Sequence, residues 1–457
     1  MSTPASLRPA PRARRSAPCR ALALALVLCN AAFGPAARAQ PSLAANASAP
    51  PLLALDEALR LAQDRSRQLA GQAAAAAAAR EMAVAAGQLP DPTLKAGLNN
   101  LPINGADRFS LTRDFMTMRS VGVAQEFTRD AKRQARTARF SREADLADAG
   151  RTAALANLQR DTALAWLDRH HQERLREVLH EQRTETALQV QAADAAYRGG
   201  RGAQADGFAA RSAVAQLDDR IREAEAQLAM ARSRLARWVG AAAERALDTP
   251  PDLGAVRWRV DDLETHLEHH PQLALIAGQE AVARAEADIA QSNRRADWSA
   301  ELMFSQRGPA YSDMVSVNVS IPLQWDRPNR QDRDLAARLA SVEQLRAQRE
   351  EAVREHVAEA RGWLEQWLGN RGRLEQHDRA LLPLAAERTR ATLAAYRGGG
   401  ATLTAVLEAR RAEIDARVER LRLAMDTARL WAQLEYLIPA GSSAGPMRRS
   451  DRQETVR

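Results

Sequence analysis

The six residues Ala-Ala-Tyr-Arg-Gly-Gly occur twice, around Tyr197 and around Tyr396, an offset of 199 in a chain of 457 residues. A short match alone constrains little. Here the segments before each match also follow one order: "SVGVAQEF" from Ser120 aligns with "SVNVSIPL" from Ser316, an offset of 196. A repeat this long implies one supersecondary unit used twice.

The unit reads as helix, strand, loop, strand, long helix, glycine turn, helix. In the first copy, residues 56–89 are helical by propensity, with Asp56 as the candidate N-cap. Its alanine run, Ala73 to Ala79, suits close packing of a neighbouring helix, and Pro90 and Pro92 stop it. The period then drops to two. Leu94, Ala96 and Leu98 alternate with Thr93, Lys95 and Gly97; later, Val121 and Val123 alternate with Ser120, Gly122 and Ala124. A helix from about Lys132 to Tyr197 follows.

The second copy has a helix over about 272–296. Its first strand sets Trp298, Ala300, Leu302 and Phe304 against Ser299, Glu301, Met303 and Ser305. The next sets Val315, Val317, Val319 and Ile321 against Met314, Ser316, Asn318 and Ser320. A helix from about Asn329 to Tyr396 comes last. Each long helix has about 65 residues, roughly 100 Å at 1.5 Å per residue. The second carries a heptad-like stripe: Val353, Val357, Ala360, Leu364, Trp367, Arg371, Leu374, Asp378 and Leu381.

Residues 1–39 have the pattern of an export signal. Arg8, Arg12, Arg14, Arg15 and Arg20 precede the apolar run Ala21–Cys29, and Ala37-Arg38-Ala39 precedes Gln40. Removing them takes away both cysteines, Cys19 and Cys29. It also removes six arginines, so a net charge of +8 becomes 8 − 6 = +2. A nearly balanced mature chain gives no support to nucleic-acid binding. No later segment has 18 consecutive apolar residues, so membrane entry would require a β-barrel. Four strands cannot close a barrel alone, but strands pooled from several subunits could. A half-buried soluble sheet is the competing reading.

These features together resemble the TolC-type outer-membrane efflux proteins, from about Leu55 to Leu437. The resemblance rests on the repeat order, the two strand ends and the two turns. It implies a mainly α fold with membrane β: a homotrimer whose subunits each give four strands to a twelve-stranded barrel in outer-membrane lipid. A long α-helical barrel would continue it across the periplasm. The segments expected are a signal at 1–39, an extension at 40–54, repeats at 55–240 and 272–437, an equatorial segment at 241–271, and a disordered tail at 438–457. The implied function is a passive exit duct with two partners, a periplasmic adaptor and an inner-membrane RND pump.

The resemblance also assigns residues. Tyr197, Gly199, Gly200, Tyr396, Gly398 and Gly399 would form periplasmic tip turns that dock the adaptor. Asp206 and Glu408 would give the entrance its negative charge. Ala405 and Ala401 depart from gate residues common in the family; Arg198, Arg201 and Arg397 lie nearby. The stretch "RFSLTRDFMTMRSVGVAQEF" resembles the heavy-metal (Czc/Cus-like) branch.

Direct signs of chemistry are few. Lys95 and Lys132, the only lysines, lie in no phosphate loop, and no Gly-x-Ser-x-Gly or His-Glu-x-x-His motif occurs. No enzyme and no cofactor are expected. His266, His269 and His270 read as a polar helix end in preference to a metal site. Met116 and Met118 fall at lumen parity with Ser120, as Met314 does with Ser316 and Asn318. Thioethers there would suit soft cations, although ordinary strand or loop methionines are the simpler reading. Competing functions are drug export, type I secretion, and a soluble periplasmic coiled-coil scaffold, the last of which does not need four amphipathic strands.

Overall fold

A computed structural model of the chain describes residues 52–200, 202–257 and 270–440. The export signal, Arg201, His266, His269 and the tail beyond residue 440 lie outside the described residues.

The first predicted helix is two. α1 (Leu55–Arg65) ends at Ser66, whose hydroxyl accepts from the Leu69 amide at 3.2 Å and so starts α2 (Arg67–Ala86). Asp56 lies in the first turn of α1, and the N-cap is Ala54. Of the alanine run, Ala76 and Ala79 are buried where α2 packs on the first long helix. That helix, α3 (Asp130–Arg198), runs unbroken for 69 residues and turns back into α4 (Gln204–Val239), which packs along it.

The second copy follows with α5 (Pro271–Ser292), α6 (Gln331–Gln376), α7 (Leu382–Arg397) and α8 (Leu403–Glu435). The long helix predicted over 329–396 is therefore interrupted. A single π-helical turn, His377–Leu381, separates α6 from α7. Pro383 explains it, because a proline lacks the amide for an α-helical bond and its ring crowds the carbonyl four residues back, that of Arg379. The heptad stripe is buried at Ala360, Leu364 and Trp367 and exposed at its ends, Val353 and Leu381. Arg371 does not break it, since its guanidinium lies 4.8 Å from the Trp367 ring centre.

The strands β1 (Thr93–Asn99), β2 (Met118–Phe127), β3 (Trp298–Gln306) and β4 (Met314–Ser320) form one antiparallel sheet in sequence order. Its register sets Leu94 beside Val123, Val123 beside Leu302, and Leu302 beside Val317. The predicted alternation thus becomes one continuous apolar face.

The main core lies at the level of Trp166. Leu53, Leu59, Trp166, Leu235, Trp367, Trp431 and Leu434 pack in one buried cluster. Trp166 Nε1 donates to the Leu53 carbonyl at 3.0 Å, and Trp431 Nε1 to that of Ala255 at 2.9 Å. The buried Arg169 guanidinium donates to the carbonyls of Ala243 and Arg245, fastening the expected equatorial segment onto α3. Two expected boundaries move. Leu53, placed in an extension, is core. Ile438, placed in a disordered tail, is buried against Ala360, and the Ala440 amide donates to Gln159 Oε1 at 2.9 Å.

Candidate functional site

The doubled motif forms two helix C-termini of one kind. Gly200 and Gly399 have φ of +66° and +78°. Each amide donates to the carbonyl of the tyrosine three residues back, Tyr197 at 3.0 Å and Tyr396 at 3.1 Å. In the second copy the Gly400 amide also donates to Ala395 at 2.8 Å, completing a Schellman motif. Gly199 and Gly398 are the C-caps, with ordinary negative φ. A Cβ at Gly200 or Gly399 would meet no atom within 4 Å. Glycine is needed there for backbone conformation, and its lack of a side chain leaves the turn bare.

The structure brings the two turns together. Ala193 of α3, Ala210 of α4, and Leu403 and Val406 of α8 form a small buried cluster, with Tyr396 packed against it. Tyr197 is exposed.

The two proposed gate acids have different settings. Asp206 is the third residue of α4, and its carboxylate accepts from the Ala203 amide at 3.1 Å. In the other repeat the same offset places Ala405, and there Thr402 caps α8 by accepting from the Ala405 amide at 3.2 Å. Each helix start therefore has one capping side chain, at a different position. Glu408 is exposed and lines a groove of about 290 Å³ between α4 and α8. Arg220 borders this groove and a second one of about 500 Å³, which is also lined by Glu223, Asp415 and Glu419.

Below the tip lies an ion-pair system that the sequence did not single out. Glu413 is buried, accepting from Arg417 at 2.8 Å with Arg410 at 3.4 Å; Arg410 also pairs with Glu185 of α3. Arg220 reaches Asp415 at 2.9 Å, joining α4 to α8. Arg420 binds both Asp378 oxygens, at 3.0 and 2.9 Å, and this hydrogen bonding holds the Asp378 carboxyl below its usual range. Pairing with Arg183 does the same to Asp218. Arg410 and Arg417 flank Glu413 on α8 itself, three and four residues away, whereas the pairs Arg410–Glu185, Arg220–Asp415, Arg420–Asp378 and Arg183–Asp218 join separate elements, and sequence spacing gave no sign of those.

On the sheet's polar face, Met118, Ser120, Met314, Ser316 and Asn318 share parity with Lys95, Gly122 and Glu301. Met116 does not join them. It lies in the turn before β2, where the Asp114 carboxylate accepts its amide. Lys95 Nζ reaches Glu301 Oε2 at 2.7 Å across β2, over Gly122, which has no side chain to obstruct it.

His270 caps α5, its Nδ1 accepting from the Gln272 amide at 3.3 Å. Its ring lies 4.9 Å from that of His356, in a cavity of about 120 Å³ shared with Arg160 and Glu359. Among the described residues, no group of three or more His, Cys, Asp and Glu is arranged to hold a metal. None of their helices is long and apolar enough to cross a membrane.

No protein-family model and no curated protein matches the sequence. Solved structures do match. The outer-membrane channel OprN has a TM-score of 0.71 at 16% identity, covering 84% of this chain and 90% of its own. For CusC, whose structures concern folding and transmembrane channel formation, the values are 0.71, 14%, 84% and 92%. For the outer-membrane protein VceC of Vibrio cholerae they are 0.68, 17%, 84% and 95%. The chain has the TolC-type outer-membrane channel fold. In that channel fold the doubled turn is the reversal point of two repeated hairpins.

Proposed function

We propose that this chain is the outer-membrane exit duct of a tripartite efflux system, exporting heavy-metal cations. Three copies pair the open edges of β1 and β4 to close a twelve-stranded barrel. The helices continue it through the periplasm towards an adaptor and an inner-membrane RND-type pump. The pump supplies the energy, and the duct needs neither catalysis nor a cofactor.

One observation carries this reading: an open four-stranded sheet whose apolar face is solvent-exposed in the single chain. Val317 is 70% and Leu94 71% exposed. A soluble sheet would cover such a face, whereas lipid and neighbouring subunits satisfy both face and edges. Met118, Met303 and Met314 on the polar face support soft-cation cargo. Glu408 shares its groove with Arg220, Arg410 and Arg411, so the groove's charge does not by itself favour cations; the bare glycine turns favour docking of the adaptor.

Membrane fractionation tests the duct: a heat-modifiable trimer is expected in the outer membrane, and a fully soluble protein overturns the reading. A deletion strain tests the cargo. Lowered tolerance to zinc, cobalt, cadmium, copper or silver is expected. Unchanged metal tolerance with new drug sensitivity would assign the duct to drugs.

A further inference from the structure

β2 has ten residues, the length of one membrane-spanning strand, about 9–11 residues. Its apolar face begins at Phe127, stacked on Trp298 with ring centres 4.3 Å apart. It passes Gln125, whose amide donates to the Pro90 carbonyl at 2.7 Å, continues through Val123 and Val121, and ends on Arg119. The alternation that faces the valines outward puts Arg119 on the same face, between Leu98 and Gln306. Arg119 lies eight residues beyond Phe127, about 27 Å along the strand at ~3.4 Å per residue. Tilted by about 40°, that is roughly 21 Å of height, close to the ~25 Å apolar band of an outer-membrane barrel. The aromatic pair and the guanidinium therefore mark the two headgroup levels.

The guanidinium has no carboxylate partner among the described residues. The acceptor it meets is the Arg307 carbonyl, at a long 3.5 Å. Two acids of the adjoining loops are turned to other work, and the third, Asp313, forms no ion pair with Arg119. Asp107 faces Arg113 at 3.5 Å, and Asp114 accepts the Met116 amide. A cation on a lipid-facing strand is tolerated at the interface, where anionic headgroups supply its counter-charge. The planar fork of arginine suits the oxygens of a phosphate. The loops at this end lie opposite the helices. On the outer-membrane reading, on which this inference rests, that end faces the outer leaflet.

We propose that Arg119 of each subunit binds a phosphate of an outer-leaflet glycolipid, so that the trimer carries three lipid-phosphate sites at its outer rim. The test uses full-length trimer in phosphatidylethanolamine vesicles doped with bisphosphorylated lipid A, with lipid A per trimer quantified after purification. Arg119→Gln should lower retention about fivefold, as expected for one basic contact at a charged surface. Arg119→Lys should recover part of it. Lys95→Gln, on the opposite face, should match wild type. Dephosphorylated lipid A should be retained no better by wild type than by Arg119→Gln. Equal retention of bisphosphorylated lipid A by wild type and Arg119→Gln overturns the site. So does preference for phosphatidylglycerol, or competition by millimolar inorganic phosphate. Wild-type trimer that inserts normally but shows no lipid A preference sinks only this inference. Failure of wild type to insert sinks the outer-membrane reading with it.

Discussion

At the residue scale, His270 ties the fold to pH. Burial first, and then the neighbouring His356 and Arg160, lower its pKa from about 6.5 to about 4. Glu359 and Tyr436 complete the titratable lining. A histidine held neutral in the fold takes up fewer protons than in the unfolded chain between those two values. Stability is therefore fully present above pH ~6.5 and falls as pH drops towards ~4. By pH 5 the loss is about 2 kcal/mol per subunit. Thermal melting at pH 7.5 and pH 5 checks this: His270→Asn, which keeps a capping acceptor, should reduce the difference, and an unchanged difference would place the sensitivity elsewhere. The sequence reading did reach His270, as one of three clustered histidines. Pro271 after it was the local sign of a helix start. Its partners His356 and Arg160 are far away in sequence, and nothing local announces them.

At the element scale, the two helix starts beyond the tip solve one problem differently, and this separates two roles for Asp206. Asp206→Asn keeps an oxygen for the Ala203 amide but removes the charge. If the acid governs the entrance, this change combined with Glu408→Gln should weaken cation preference in bilayer recordings while the melting temperature holds. Asp206→Ala removes the cap as well, and Thr402→Ala removes only a cap; each should cost about 1 kcal/mol. A loss of stability in Asp206→Ala with unaltered selectivity in the charge-removing pair would leave capping as the acid's role. Turns and alternating strands were legible because their causes lie within a few residues: a positive φ, a bond three residues back, a period of two. Pro383 was equally local, yet the coiled-coil rhythm running up to Leu381 masked the break. The Ser66 cap was hidden inside a run of good helix formers.

At the scale of the whole molecule, the sheet argues for an assembly that no single chain completes. Val317 lies mid-strand on the apolar face, paired with Leu302. Val317→Arg should cost about 2–4 kcal/mol per subunit near a bilayer midplane and deplete trimer from the membrane fraction. Asn318→Arg, one residue on and facing the opposite way, should leave insertion intact. Equal depletion by both would argue against a lipid-facing surface. The overall repeat was legible in the sequence, whereas closure of the proposed barrel would depend on chains the sequence does not contain. The chain's near-total reliance on arginine has a practical consequence. Its two lysines both sit at the sheet: Lys132 pairs with Asp297 at the helical base, and the more exposed Lys95 spans Gly122 to Glu301. An amine-reactive dye thus has almost nowhere else to go, so mass spectrometry of the labelled protein would report, without any engineered cysteine, when the polar face of the sheet, the interior of the proposed barrel, is open to a reagent of chosen size.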